Sequence, residues 1–242
     1  MEIKDQLTPT TLSSHFDHTV LKADATPQMI SALCAEAIQL NCAAVCVNPV
    51  NLSIAVRDLE GTGVMPITVV GFPLGAVPAS WKAVETRRAI DMGAREIDIV
   101  MNIGHFLSDS DASRGLFEEC STVIKAAGEI PVKVIIETAL LSPELIRLAA
   151  KICTDAGAAF VKTSTGFAAR GASLEDLAAI SLGIHDSQGP KSVATRIKAS
   201  GGIRTLEQTL AMIAGGANRI GSSNTVTILR DFASLYAAKV AR

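Results

Sequence analysis

Short apolar runs rich in β-branched residues recur along this chain, and each is followed by a longer stretch with helical spacing. The clear runs are "AAVCV" at 43–47, "PITVVGF" at 66–72, "REIDIVMN" at 95–102 and "VKVIIE" at 132–137. "AAFVKTS" at 158–164, "TRIKAS" at 195–200 and "NRIGSS" at 218–223 continue the series, and "FDHTVLK" at 16–22 is a weaker eighth. Strands that alternate with helices at a spacing of about 25–35 residues imply repeated βαβ units around a parallel sheet. Eight such strands in 242 residues favour a closed (β/α)8 TIM barrel, since those barrels run to about 250 residues. No Gly-rich dinucleotide fingerprint follows the first strand, which argues against an open doubly wound sheet. The expectation is one barrel domain over residues 1–242 with a short N-terminal extension, because no linker, charge block or low-complexity segment divides the chain.

The intervening segments carry helix punctuation. Thr26 is placed to cap a helix that opens at Pro27, and Ser142 to cap one that opens at Pro143 and ends before Gly157. Ser173 with Asp176 three residues on approximates a capping box. The last segment, 224–242, reads as a closing amphipathic helix.

With 22 basic and 24 acidic residues, the net charge of -2 predicts neither a nucleic-acid binder nor a polybasic membrane module. No apolar run approaches the roughly 18 residues of a membrane span, and the start "MEIKDQLTPT" lacks a signal core. Cys34, Cys42, Cys46, Cys120 and Cys153 form an odd, scattered set without C-x-x-C, which points to free thiols in a cytoplasmic protein.

Barrel active sites form at the C-terminal ends of the strands. Those ends present Asp98 on the fourth strand, Glu137 on the fifth, Lys162 on the sixth and Lys198 on the seventh. Side chains alternate along a strand, so Glu96, Asp98, Val100 and Asn102 share the inward face, while Ile97, Ile99 and Met101 suit the helix-facing side. By the same parity Phe160, Lys162 and Ser164 share a face, as do Arg196, Lys198 and Ser200. Lys133 lies at the beginning of its strand and reads as a structural partner of Glu96.

A lysine attacks a carbonyl only as the neutral amine, yet at an ordinary pKa of about 10.4 roughly one molecule in 2,500 is neutral at pH 7. A second ammonium about 4 Å away contributes about 1 kcal/mol against the charged form in bulk water, and about 4 at an effective dielectric near 20. Two strand-end lysines in a desolvated mouth are therefore a means of making one of them nucleophilic. A carboxylate such as Asp98 could then move protons through a water. Spacing does not say which lysine is the nucleophile. Gly166, the pair Gly201–Gly202, and Gly221 with Ser222 and Ser223 follow strands six, seven and eight, where backbone N–H groups approach an anion closely.

"DHTVLK", "VCVNP", "GFPLG", "ETRRAIDMGAREIDIVMNIG", "VKVIIET", "AGAAFVKTSTGF", "IKASGGIRT" and "RIGSS" occur in order from about Asp17 to Ser223. Together they resemble the 2-deoxyribose-5-phosphate aldolases. The resemblance implies a class I aldolase, with no metal or other cofactor, that cleaves 2-deoxy-D-ribose 5-phosphate to D-glyceraldehyde 3-phosphate and acetaldehyde. It implies Lys162 as the Schiff-base residue, Lys198 as its perturbing neighbour and Asp98 in the proton relay. It maps phosphate contacts to Gly166, Gly201, Gly202 and Ser223, with Gly221 and Ser222 in the same loop.

Three segments depart from the family pattern. "AARGAS" at 168–173 replaces a Gly-rich turn, "HFLSDSDASRG" follows "NIG" within 102–114, and Asn224 follows "GSS". All three are expected on loops near the mouth, where they bear on substrate range. The alternatives are a Schiff-base aldolase for another phosphorylated sugar, a metal-dependent aldolase, and a non-catalytic phosphosugar-binding barrel. His15 and His18 fit hydrogen-bonding roles better than metal ligation, and Cys46 fits core packing better than substrate contact. Trp81 and Tyr236 carry no readable motif. Exposed apolar faces on the outer helices point to a homo-oligomer, a dimer or larger.

Overall fold

The computed structural model describes residues 6–108, 112–189 and 194–240. Residues 1–5 of the expected N-terminal extension, 109–111 of the departure at 102–114, and 241–242 of the closing segment lie outside the described residues.

All eight expected strands form: β1 (Phe16–Val20), β2 (Ala44–Val47), β3 (Met65–Val70), β4 (Glu96–Val100), β5 (Val132–Ile135), β6 (Phe160–Lys162), β7 (Arg196–Ser200) and β8 (Arg219–Ser222). They pair in sequence order, every pair parallel, and β1 joins β8 to close the barrel. The helices are α1 (Pro9–Ser13), α2 (Pro27–Leu40), α3 (Leu52–Asp58), α4 (Ala79–Asp91), α5 (Ile103–Ser108), α6 (Ala112–Ala127), α7 (Pro143–Asp155), α8 (Leu174–His185), α9 (Leu206–Ala214) and α10 (Thr225–Val240). The expected caps are present: Thr26 accepts from the Met29 N–H, Ser142 from the Leu145 N–H, and Ser173 forms a full capping box with Asp176. Thr8 and Thr11 form another on α1, immediately before β1, a helix that sequence reading does not anticipate.

Strand alternation divides the apolar residues into two clusters. Val45, Val47, Ile97, Ile99 and Val134 face outward and pack against the helices. Ala44, Cys46, Ile67 and Val69 face inward with Leu21, filling one side of the barrel interior. The other side of the interior is polar and buried.

The alternation read from the sequence holds for Glu96 and Asp98, which meet the interior cations, and Val100 is buried in the main apolar cluster. Behind the sheet, the buried Lys82 of α4 donates to the Val100 carbonyl at 2.6 Å and pairs with Glu119 of α6. Glu119 also accepts from the Asn102 N–H at 3.1 Å, so the chain leaving β4 turns outward toward this ion pair. A buried cation with its carboxylate and a carbonyl partner satisfies the freed backbone groups there.

Among the described residues, no helix is long and apolar enough to cross a membrane. All five cysteines are free and buried. The Cys120 and Cys153 sulfurs lie 4.0 Å apart, well beyond bonding distance.

Candidate active site

Parallel register brings the strand charges together: Lys162 ends its strand, while Asp98 and Lys198 lie at the middle of theirs rather than at the ends. Lys162 of β6 lies opposite Lys198 of β7, Asp98 of β4 opposite Lys133 of β5, and Lys198 opposite Arg219 of β8. Like charges directly opposite one another are destabilising unless carboxylates intervene. Here they do. Asp98 Oδ2 accepts from Lys162 Nζ at 2.8 Å and from Lys198 Nζ at 2.7 Å, while Oδ1 accepts from Lys133 at 2.9 Å. Lys198 also pairs with Asp17 of β1, whose other oxygen accepts from Arg219 at 2.6 Å. Lys133 reaches Glu96 at 2.5 Å, the structural pairing expected from its place at the strand start.

Burial and these neighbours set the ionisation states. Burial acts to raise the Asp98 pKa, but Lys133, Lys162 and Lys198 together outweigh it and hold the carboxyl well below its usual range. Asp17 is likewise depressed, its burial overcome by Lys198, Lys133 and Arg219. Lys198 is held above an ordinary lysine because Asp17 and Asp98 overcome its burial. Lys162 alone of the two goes the other way. Burial pushes its pKa down, Asp98 opposes that, and the Lys198 charge adds to the depression. The two-ammonium estimate made the neighbouring charge the main cause. Burial is the larger cause, and the Lys198 charge adds to it while Asp98 opposes both.

A cavity of about 380 Å³ opens above this cluster at the C-terminal end of the barrel. Lys162 lines it, whereas Asp98 and Lys198 are fully buried beneath it. Gly166, Gly201, Gly202, Gly221, Ser222 and Ser223 all line the same cavity. Gly166, Gly201 and Gly202 have φ of +89°, +81° and +75°, the left-handed region that glycine occupies without strain. Two cations that sequence reading missed, Lys22 after β1 and Arg204 after β7, line it as well. Their signal was weak: each is a lone charge just past a strand end.

Glu137 does not face the cavity. It sits one residue past Ile136 with φ +51°, and its carboxylate accepts from the N–H and hydroxyl of Thr165. Thr165 Oγ1 accepts in turn from the Phe167 N–H at 3.1 Å, which fixes the turn around Gly166. Cys46 belongs to the inner apolar cluster, and burial followed by the Asp98 charge pushes its thiol up to about 11. His18 Nε2 pairs with Glu36 at 2.8 Å and His15 Nδ1 lies 2.8 Å from the Thr11 carbonyl.

The departures from the family pattern fall differently from the expectation. His105 and Phe106 lie on α5, not on a mouth loop; Phe106 is buried in the outer core, and His105 lines a separate cavity with Glu118 and Glu119. The segment 168–173 does border the site. Arg170 makes two bonds to Asp176, at 2.5 and 3.0 Å, and donates to the Thr138 carbonyl at 2.9 Å. That clamp holds Gly171 against Gly201, so closely that a Cβ there would lie 1.9 Å from the Gly201 oxygen. Asn224 donates its N–H to Ser222 Oγ at 3.0 Å at the entry to α10.

A lysine amine and a bridging carboxylate under a glycine-lined cavity, at the C-terminal mouth of a parallel barrel, are the parts of a carbonyl-directed barrel lyase. A family model described as DeoC/LacD family aldolase matches residues 11–232. A deoxyribose-phosphate aldolase from Mycoplasma pneumoniae is 46% identical over 219 residues, covering 90% of this chain and 93% of that one. One from Natranaerobius thermophilus is 43% identical over 226 residues, covering 93% and 99%. The solved structure of a deoxyribose phosphate aldolase from Aeropyrum pernix, described as tetrameric, superposes with a TM-score of 0.84 at 32% identity and covers 96% of each chain. The chain belongs to the DeoC/LacD aldolase family.

Proposed function

We propose that this aldolase cleaves 2-deoxy-D-ribose 5-phosphate to D-glyceraldehyde 3-phosphate and acetaldehyde, and runs the reverse condensation. The observation that carries the reading is Lys162: its amine lines the cavity, its pKa is depressed, and it shares Asp98 Oδ2 with Lys198. The neutral amine adds to the C1 aldehyde of the open-chain sugar, and the carbinolamine takes up a proton and loses water to leave a protonated imine. Asp98 takes the C3 hydroxyl proton through a water as the C2–C3 bond breaks. The bond's electron pair moves into the iminium to give an enamine, and glyceraldehyde 3-phosphate departs. Protonation at C2 and addition of water then release acetaldehyde and restore the amine. Lys198 keeps Asp98 ionised between these transfers.

The substrate phosphate is assigned to the backbone N–H groups around Gly166, Gly201, Gly202 and Gly221 with the Ser222 and Ser223 loop. Their left-handed turns and shared cavity support that assignment. We also infer a cytoplasmic homo-oligomer. The free thiols support a reducing compartment, and exposed Trp81 and Val84 on α4 offer apolar contact surface.

Borohydride treatment in the presence of acetaldehyde, followed by mass mapping, tests the chemistry. The expected result is a reduced adduct on Lys162, and Lys162→Ala loses both adduct and turnover. No adduct, or undiminished turnover in the variant, overturns the reading. A panel of sugar phosphates tests the substrate: cleavage of a ketose phosphate but not of deoxyribose 5-phosphate favours a related aldolase instead.

A further inference from the structure

Among the described residues, the barrel interior holds an unequal set of buried charges. Its cations are Lys133, Lys162, Lys198 and Arg219; its carboxylates are Asp17, Glu96 and Asp98. With every group ionised the set carries one uncompensated positive charge in a medium that penalises it. Release of a single proton makes the interior neutral.

Geometry selects which cation releases it. Lys133 lies within 4 Å of three carboxylates, at 2.5 Å from Glu96, 2.9 Å from Asp98 and 3.9 Å from Asp17. Lys198 has Asp17 and Asp98. Arg219 has Asp17 at 2.6 Å and Glu96 at 3.5 Å, and a guanidinium does not deprotonate in a protein. Lys162 has one carboxylate partner, and it shares that oxygen with Lys198. It also borders the cavity, so a departing proton has a route to solvent.

We propose that Glu96 and Arg219, buried at the starts of their strands and absent from the cavity lining, are positioning residues that set the charge state of the Lys162 amine through the interior charge balance. This rests on Lys162 being the nucleophile. The other groups around the column do not upset the count. On β2 the Cys46 thiol is neutral at physiological pH, and β3 contributes Ile67 and Val69. Arg196 of β7 is exposed at the barrel floor, its guanidinium 4.0 Å from the Phe160 ring centroid; it feels the Arg219 and Glu96 charges, but its exposure lets solvent screen it. Glu137 turns to Thr165. Lys22 and Arg204 are exposed to solvent at the cavity wall. The depressed pKa of Lys162 beside the raised one of Lys198 accords with the count.

The test is residue-resolved titration of Lys162 by trace acetylation across pH with mass mapping, a readout that does not require turnover. Glu96→Gln removes an interior anion and is expected to lower the Lys162 pKa by about one unit. Arg219→Met removes a cation and is expected to raise it by a similar amount. Arg219→Lys keeps the charge and leaves the pKa in place, and the double variant Glu96→Gln/Arg219→Met returns it toward the parent value. General damage to the barrel would move both single variants in one direction, so shifts of the same sign overturn the proposal. So does an unmoved pKa in variants whose circular dichroism matches the parent. Borohydride trapping on the same variants separates the two ideas: an adduct on Lys162 with an unmoved titration defeats the charge balance and leaves the aldolase chemistry intact.

Discussion

Asp98 Oδ2 accepts from both Lys162 and Lys198, so replacing this one side chain separates imine formation from proton transfer. In Asp98→Asn the interior gains a further uncompensated charge, which keeps the Lys162 amine available, while the carboxylate that moves protons is gone. The borohydride-trapped adduct is expected to persist, with turnover down about 10²–10⁴-fold. Parallel loss of adduct and turnover would show that Asp98 serves only to hold Lys162 in place. Lys162, Lys198 and Asp98 were legible in the sequence because an inward charge within an apolar strand has few structural uses. Asp17 and Arg219 were not. Each is a lone charge near the start of its strand, and they meet across nearly the whole chain, 202 positions apart. Inward parity was the available signal: Arg219 shares a face with Gly221, as Asp17 does with Thr19.

At the scale of elements, the loop after β6 is fitted to the loop after β7. Arg170 ties the first to Asp176 at the start of α8 and to the Thr138 carbonyl, and Ala172 donates its N–H to the Ser200 and Gly201 carbonyls at 3.2 Å. Gly171→Ala would drive a methyl into the Gly201 carbonyl, which is backbone and must shift to make room. The expected outcome is about a tenfold rise in KM for deoxyribose 5-phosphate with little change for unphosphorylated deoxyribose, consistent with the loss of one or two backbone contacts to phosphate. Equal losses on both substrates would detach this loop from phosphate binding. The eight strands and the helices capped by Thr26, Ser142 and Ser173 could be read from periodicity and caps alone. The course of 102–108 could not, because the buried Lys82–Glu119 pair that turns the chain outward there is assembled from α4 and α6, far from β4 in sequence.

For the molecule as a whole, the depressed pKa of Lys162 carries a cost in stability. Its folded pKa lies below the unfolded value of about 10.4, so over the pH range between them the unfolded chain binds the proton that the folded chain releases. Stability therefore rises with pH through that range, and the cost fades as pH approaches the unfolded value. Lys162→Met, close in volume and uncharged, is expected to raise the thermal midpoint at pH 7 and to lose that advantage near pH 10. A midpoint lowered equally at both pH values would mean that the ammonium is retained in the native state. The closure of the barrel by β1 and β8 has a consequence for synthesis. Until Arg219 is made, β1 lacks its second neighbour, and Asp17 and Glu96 have the earlier lysines Lys198 and Lys133 as their partners. Sheet closure thus coincides with the arrival of the fourth interior cation, which takes the set from charge balance to one excess positive charge. A nascent chain paused before residue 219 exposes two unpaired strand edges, a form that ribosome-associated chaperones are equipped to hold.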